Sequence, residues 1–419
     1  MSSRLERSYG QARSEVLANT SALPAIELPL IQSLGRALRR RIVAPHALPS
    51  FRNSAMDGFA VRTADTLSAS ESDPLALSVS QVLAAGHAPE GPLAIGTAAR
   101  IMTGAMLPDG ADGIVPFEEV TRSAPGPLER VTLLRAVRPG AHIREAGADV
   151  GAGDTVMAEG DRLTPHSIGL LGALGQALLR VGPSPRVALL STGDELLSVE
   201  AELRPGAVRD SNLGMLSALC RDAGAEVTIA ERLPDDPERV LARIEEAMAL
   251  ADVTLTIGGV SVGDFDPVQQ VALSHPGISL WSVAMRPGRP QAFGVPSPGR
   301  LFFGLPGNPA SVACVFEALV RPALQRLQGF RRLDRPRVPV RMVEAVSSKP
   351  GRTDFLRCRL EWREGVLRAS LAGAQVSGHQ RPQALAHALV IVPHDAAGLS
   401  EGEQADALLL RLPDEAAGD

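Results

Sequence analysis

The sequence predicts a multi-domain α/β plus β protein built around a doubly wound α/β domain. Three observations predict it. From Arg186 onward strand and helix patterns alternate, which implies a parallel sheet with helices on both faces. Before that stretch, residues 46–140 are rich in Gly, Pro, Thr and Val arranged in short alternating runs. After Gln328-Gly-Phe330 the helical periodicity ceases and only short strand patterns follow. At 419 residues and 45% hydrophobic, the chain is long and apolar enough to bury several cores.

In chain order, Leu30, Ile31, Leu34 and Leu38 recur at helical spacing, so the pattern predicts an amphipathic helix from Ile26 to Arg41, ending before Pro45. The runs Leu75–Val82 and Arg130–Leu134 predict strands of the β-rich insertion. Pro165 to Leu179 predicts a second helix, closed by the punctuation cluster Gly182-Pro-Ser-Pro185. The α/β stretch then reads as strand 187–190, helix 211–223, strand 226–230, helix 237–250 and strand 253–257, with an apolar helical run from Val312 to Leu324. Segments 337–344, 354–362, 366–371, 388–392 and 407–412 read as strands of a small β-barrel or sandwich. The expected division is a helical linker domain of 1–45 and 141–180, a β-rich insertion of 46–140, the α/β domain of 181–330 and a C-terminal β domain of 331–419. The tail from Asp414 reads as disordered.

A net charge of −5 argues against a nucleic-acid or acidic-membrane partner, whose phosphates demand clustered positive charge. No apolar run approaches bilayer length, and Met1-Ser-Ser-Arg-Leu-Glu-Arg7 lacks a signal-peptide core, so the expected location is cytoplasmic. Three scattered cysteines, Cys220, Cys314 and Cys358, suggest neither disulfides nor a thiolate metal site. The eight histidines show no zinc-ligand spacing. Lys349 is the only lysine; every other cationic side chain is arginine.

Two junctions carry the chemistry. In Val253-Thr-Leu-Thr-Ile-Gly-Gly-Val-Ser-Val-Gly-Asp-Phe-Asp-Pro267, a β-branched strand enters a glycine turn and then two acids. Gly258, Gly259 and Gly263 allow backbone amides to approach a ligand, Asp264 and Asp266 offer hard oxygens to Mg²⁺, and Asp266 before Pro267 reads as a helix N-cap. In Leu301-Phe-Phe-Gly-Leu-Pro-Gly-Asn-Pro-Ala-Ser311, Asn308 caps and Pro309 opens a helix whose first turn suits phosphate. Each junction taken singly also fits a rigid capped turn without ligand. Because ligands of such folds sit beyond the carboxyl ends of the strands, these loops and Gly193-Asp-Glu195 are expected to converge. Asp194 and Glu195 are candidates for metal ligation or water activation. Asp235 and Asp236, before Pro237, read first as a helix N-cap.

Read with Pro49-Ser-Phe-Arg-Asn-Ser-Ala-Met-Asp-Gly-Phe-Ala-Val61, the sequence resembles the MoeA family, the molybdopterin molybdenumtransferases related to the E domain of gephyrin. The strings Ser54-Ala-Met-Asp-Gly58, Arg100-Ile-Met-Thr-Gly104, Ser191-Thr-Gly-Asp-Glu195, Gly258-Gly-Val-Ser-Val-Gly263 and Gly304-Leu-Pro-Gly-Asn-Pro309 occur in the family's order and span nearly the whole chain. The resemblance implies a MogA-like α/β domain. It also implies insertion of molybdate into adenylylated molybdopterin with release of AMP, a divalent cation, here Mg²⁺, and a homodimer whose active site forms between subunits. The adenylyltransferase of the same pathway and molybdoenzymes or their chaperones are the partners implied. By the same resemblance Asp57, Thr103, Glu195, Asp235 and Asp266 are catalytic, and Asp194, Glu195, Asp235 and Asp266 hold metal. Arg144, Asp149, Gly258, Gly259, Ser261, Arg286, Arg289, Pro306, Gly307, Asn308, Pro309, Arg352 and Ser377 bind the pterin and its oxyanions.

The chain departs from the family in three places. Arg144 and Asp149 sit in Ile143-Arg-Glu-Ala-Gly-Ala-Asp149, a partial match, and Ser377-Gly-His-Gln-Arg-Pro382 replaces the family's Ser-Gly-Met-Leu-Ser-Ser. In Trp281-Ser-Val-Ala-Met-Arg-Pro-Gly-Arg-Pro290, members commonly carry Lys at the positions of Ser282, Arg286 and Arg289. Both arginines keep the charge and suit an oxyanion; Ser282 removes one, and no sequence neighbour replaces it. Two rival readings follow: a non-catalytic paralogue that binds or carries the finished cofactor, and the adenylyltransferase step, disfavoured by the extra domains.

Overall fold

The computed structural model describes residues 4–123, 129–260 and 267–413. Ser261, Gly263, Asp264, Asp266 and the tail from Asp414 therefore lie outside the described residues. The chain forms two units: one of residues 4–40, 159–164 and 178–413, the other of residues 41–158 and 165–177.

The larger unit is built on a sheet ordered Glu226–Leu233, Arg186–Thr192, Val253–Ile257, Leu301–Leu305, Pro290–Gly294, Ile278–Arg286. The first four strands run parallel, and Pro290–Gly294 is antiparallel to both of its neighbours. Successive residues of a strand point to opposite faces, and each face has its own core. Val187 and Leu189 pack with Leu216, Cys220 and Val312 on one side. Ala188 and Leu190 pack with Val240, Ile244 and Ala247 on the other. This is the doubly wound arrangement, with helices Ser211–Asp222 and Pro237–Leu250 on opposite faces. The chain order reverses between Arg186–Thr192 and Val253–Ile257, the switch point where such sheets receive ligands.

The C-terminal strands close on themselves. Thr353–Arg363 pairs with Val366–Leu371, which pairs with Arg337–Met342, then Gln404–Leu409, then Ala388–Val392, and back to Thr353–Arg363. Of the two expected forms, this is the barrel, filled by Val340, Leu356, Cys358 and Val390. The first residues of its long strand also pair in parallel with Met285 and Arg286, so barrel and α/β sheet share one edge.

The expected helix from Ile26 to Arg41 does not form. Ile26–Pro29 is a strand paired with Leu178–Val181, Leu30–Ser33 is a single 3-10 turn, and Leu38 bridges Val181. Pro29 and Gly35, the latter at φ +78°, interrupt the helical path, and Ile31 stays 70% exposed. The N-terminal helix is instead Tyr9–Ala18, closed by the capping box Ser8 and Gln11. The strand Leu5–Ser8 before it lies parallel to Trp281–Ala284, which brings Glu6 opposite Ser282.

The second unit carries a six-stranded sheet ordered Gly113–Pro116, Gly58–Val61, Thr97–Ile101, Leu75–Leu83, Arg130–Leu133, Val120–Arg122. It agrees with the expected β-rich insertion. The helix Pro165–Ala173 also belongs to this unit and stops short of the expected Leu179, because Leu178–Val181 is strand.

Candidate functional site

The parallel strands end in tight loops that abut one another. Gly258 and Gly259 adopt φ +86° and +70°, a conformation open to glycine and strained for other residues. A Cβ on Gly307 would lie 3.9 Å from the Cα of Gly258, and one on Gly258 would lie 3.4 Å from the carbonyl oxygen of Thr192. The ends of three strands, at Thr192, Ile257 and Leu305, are thus in van der Waals reach. Asn212, in the first turn of Ser211–Asp222, ties the third loop down by donating to the Gly307 carbonyl at 2.7 Å.

Asn308 stands at the N-cap of Pro309–Val315, but its side chain makes no capping hydrogen bond. That corrects the reading of Asn308 as a capping side chain: its amide is left to line a cavity. The cavity holds about 820 Å³, and six of the expected residues line it: Arg286, Arg289, Pro306, Asn308, Arg352 and Ser377. Glu6, Ser311 and Lys349 line it as well. Pro309 lines a different cavity, of about 580 Å³, with Met215 and Ala313.

The three arginines of the large cavity are held by buried partners. Asp354, 2% exposed, takes Arg352 at 2.8 Å, Arg286 at 3.9 Å and the Ser348 hydroxyl at 2.8 Å. The hydroxyl at Ser282 orients a cation and supplies none. Ser282 is buried, and Arg289 Nε donates to its hydroxyl at 3.0 Å. Sequence adjacency concealed this contact, because it depends on the antiparallel pairing of Ser282 with Pro290.

The loop carrying Ser377 is pinned from beneath by Arg357, which sequence reasoning missed. Its buried guanidinium donates to the carbonyls of Val376 at 3.1 Å, His379 at 3.2 Å and Ala374 at 3.4 Å, and to Gln375 Oε1 at 3.3 Å. Burial lowers its pKa, although it stays far above neutrality as any arginine does. An arginine inside the strand-like run Phe355-Leu-Arg-Cys358 was the available signal.

The acids form their own cluster beyond the ends of Arg186–Thr192 and Glu226–Leu233, across Val253–Ile257 from the cavity. Asp194 N–H donates to Asp235 Oδ2 at 3.2 Å, and Asp235 N–H donates to Asp194 Oδ1 at 3.1 Å. One oxygen of each carboxylate is engaged in this way, and both residues are exposed. The N-cap role falls to Asp236, whose side chain accepts from Arg239 N–H at 3.2 Å, and this frees Asp235. Glu195 folds its carboxylate back over Gly193, where any Cβ would collide with it. Among the described residues no group of three or more His, Cys, Asp or Glu is placed to hold a metal. Helix Pro267–Ser274 begins at the expected proline; Asp266 and Ser261, two further expected ligands, lie outside the described residues.

In the second unit, Asp57 Oδ1 accepts both the Thr103 backbone N–H at 2.6 Å and its hydroxyl at 2.7 Å. These two bonds, the backbone one first, hold the Asp57 carboxyl below its ordinary pKa. Gly58 follows because a Cβ there would overlap the Val115 carbonyl across the sheet. Arg144, paired through its backbone with Asn53, and Asp149 are both exposed and form no ion pair with each other.

A doubly wound sheet whose carboxyl edge carries glycine turns, an arginine-lined cavity and a facing acid pair defines an oxyanion- and phosphate-binding α/β protein. Comparison with known proteins makes the class specific. Residues 7–175 match the MoeA N-terminal region (domains I and II), residues 188–326 a probable molybdopterin-binding domain, and residues 339–410 the MoeA C-terminal region (domain IV). The chain is 38% identical over 404 residues to molybdopterin molybdenumtransferase 2 of Mycobacterium tuberculosis, covering 95% of this chain and 98% of that one. It is 36% identical to the molybdopterin molybdenumtransferase of a Nostoc species, covering 90% and 87%. The crystal structure of the molybdopterin biosynthesis moeA protein of Pyrococcus horikoshii superposes with a TM-score of 0.81 at 27% identity, covering 97% of this chain and all of that one. The chain belongs to the MoeA family of molybdopterin molybdenumtransferases.

Proposed function

We infer that this protein is a molybdenum insertase that transfers molybdate into adenylylated molybdopterin and releases AMP. The observation that carries the reading is the single cavity in which Arg286, Arg289, Asn308, Arg352 and Ser377 meet beside the glycine turns of the switch point. A tetrahedral dianion entering it meets guanidinium forks whose orientation is fixed in advance by Asp354 and Ser282. The amides of Gly258 and Gly259 and the loop Pro306, Gly307 and Asn308 receive the pterin and its phosphates; Pro309 contributes by setting the helix start.

Asp194 and Asp235 suit Mg²⁺. Each presents one unengaged carboxylate oxygen, and Mg²⁺ typically takes one or two carboxylates and completes its shell with water and substrate phosphate. When bound, the ion would neutralise charge on the phosphoanhydride as it is cleaved. Glu195 orients the attacking water, and Asp266 is assigned as a further metal ligand and Ser261 as a pterin contact on the family pattern alone. The negative cluster and the cationic cavity lie on either side of the strand Val253–Ile257, so the leaving AMP phosphate and the incoming oxyanion have distinct binding groups.

Asp57, Thr103, Arg144 and Asp149 are assigned to the site of a partner subunit, in a homodimer with shared active sites. The test of the main reading is incubation with adenylylated molybdopterin, molybdate and Mg²⁺; absence of molybdate-dependent AMP release rejects it and leaves the carrier alternative, which binds cofactor without turnover. For the shared site, inactive Asp57→Ala and Glu195→Ala chains are mixed and allowed to exchange subunits. Recovery of about a quarter to a half of wild-type activity is expected, because one site per mixed dimer is intact; no recovery places both residues in one chain's site.

A further inference from the structure

We propose that Lys349, the single lysine of the chain, is the oxyanion-capturing residue of this cavity. The inference rests on the insertase reading above and assigns a residue within its cavity.

A charge census of the cavity singles out Lys349. Four cations line it: Arg286, Arg289, Lys349 and Arg352. Arg352 and Arg286 are held by Asp354, at 2.8 and 3.9 Å, and Arg289 reaches Glu6 at 3.7 Å. Among the described residues Lys349 alone of the four has no carboxylate within ion-pair distance. Four positive charges against two negative ones leave the cavity with a net charge of its own, and the uncompensated ammonium is free to be taken by a ligand.

The backbone around Lys349 is fixed and its side chain is exposed. Ser348 N–H donates to the Ala397 carbonyl at 2.7 Å, its hydroxyl anchors on Asp354, and Gly351 N–H donates to the His394 carbonyl at 2.7 Å. A pinned Cα with an exposed four-carbon stem gives a tethered point charge with three rotatable donors. Such a group can follow a small tetrahedral anion inward, whereas the paired arginines are committed in direction. In a chain with 41 arginines, lysine stands at the one cavity position where a mobile head is useful.

The single lysine also makes the test clean, since an amine-selective acylating reagent meets only Lys349 and the α-amino group, which peptide mapping separates. In the full-length protein, molybdate at ten times its half-saturating concentration is expected to slow acylation of Lys349 about tenfold by mass action. Potassium chloride at matched ionic strength should leave the rate alone. Lys349→Ala is expected to raise the molybdate concentration for half-maximal AMP release about tenfold, with kcat at saturating molybdate little changed. Lys349→Arg should stay within about threefold of wild type, since it keeps the charge. Equal labelling rates with and without molybdate, or an unchanged half-saturation in Lys349→Ala, overturns the proposal while the insertase reading stands. If the wild-type protein releases no AMP, that reading falls. Equilibrium dialysis of molybdate alone against wild type and Lys349→Ala then decides the role of the lysine, equal binding refuting it.

Discussion

The cationic cavity and the acid cluster occupy the carboxyl edge of one sheet, on either side of the strand Val253–Ile257, and they are built on opposite plans. In the cavity, Arg352 and Arg286 are oriented by the buried carboxylate Asp354, and the Ser377 loop is oriented by the buried guanidinium Arg357. At the acid cluster, Asp194 and Asp235 are exposed, and among the described residues each carboxylate is held by the other's backbone amide. The first region has its electrostatics fixed before ligand arrives, as suits capture of a small, strongly hydrated oxyanion. The second leaves two like charges close together in solvent, a state that a divalent ion relieves. Stability and activity should therefore be coupled in the cavity and separable at the acids.

The largest effect is expected where the cavity's buried charge is broken. Asp354→Ala leaves Arg352 and Arg286 without their common partner and should destabilise the fold by about 3 kcal/mol, the low end for a buried pair because Arg352 is partly exposed. Chemical denaturation measures this, and the half-saturating molybdate concentration should rise in the same variant. A stable Asp354→Ala protein with normal molybdate dependence would break the comparison.

At the acids the expected pattern is the reverse. Asp235→Ala should lower AMP release about 100-fold at limiting Mg²⁺, partly restored by excess metal, with the thermal midpoint nearly unchanged. Its neighbour sharpens the contrast: Asp236 caps Pro237–Leu250, so Asp236→Ala should cost about 1 kcal/mol of stability and leave metal dependence intact. If the two variants behave alike, the division of labour between adjacent aspartates is wrong.

What was legible in the sequence follows from the same distinction between local and distant causes. Helix Pro237–Leu250 and strand Val253–Ile257 were readable to the residue, because proline, aspartate and β-branched periodicity act within a few positions. The tight turns at Gly193, Gly258 and Gly307 were readable for the same reason. The pairing of Arg289 with Ser282, the anchoring of Arg352 on Asp354 and the seating of Arg357 under the Ser377 loop depend on strand register and on a barrel edge meeting a sheet edge. No periodicity encodes these. The failed helix from Ile26 to Arg41 is the converse error: its spacing was helical, but pairing with Leu178–Val181, distant in sequence, prevailed over the local pattern.

The smallest effect concerns Asp57, where the cause is local and the group exposed. Its carboxyl is held below the ordinary value first by the Thr103 backbone N–H and second by the Thr103 hydroxyl. Because the folded pKa lies below the unfolded one, whatever these bonds contribute is present above the unfolded value and is lost as pH falls through the folded one. Thr103→Val removes only the second donor, so the Asp57 pKa should rise part of the way back and no further. Carboxyl carbon chemical shifts followed by NMR below about pH 5 measure that change. A full return to the ordinary value would mean that the hydroxyl, and not the turn's backbone, holds this carboxylate in its charged form.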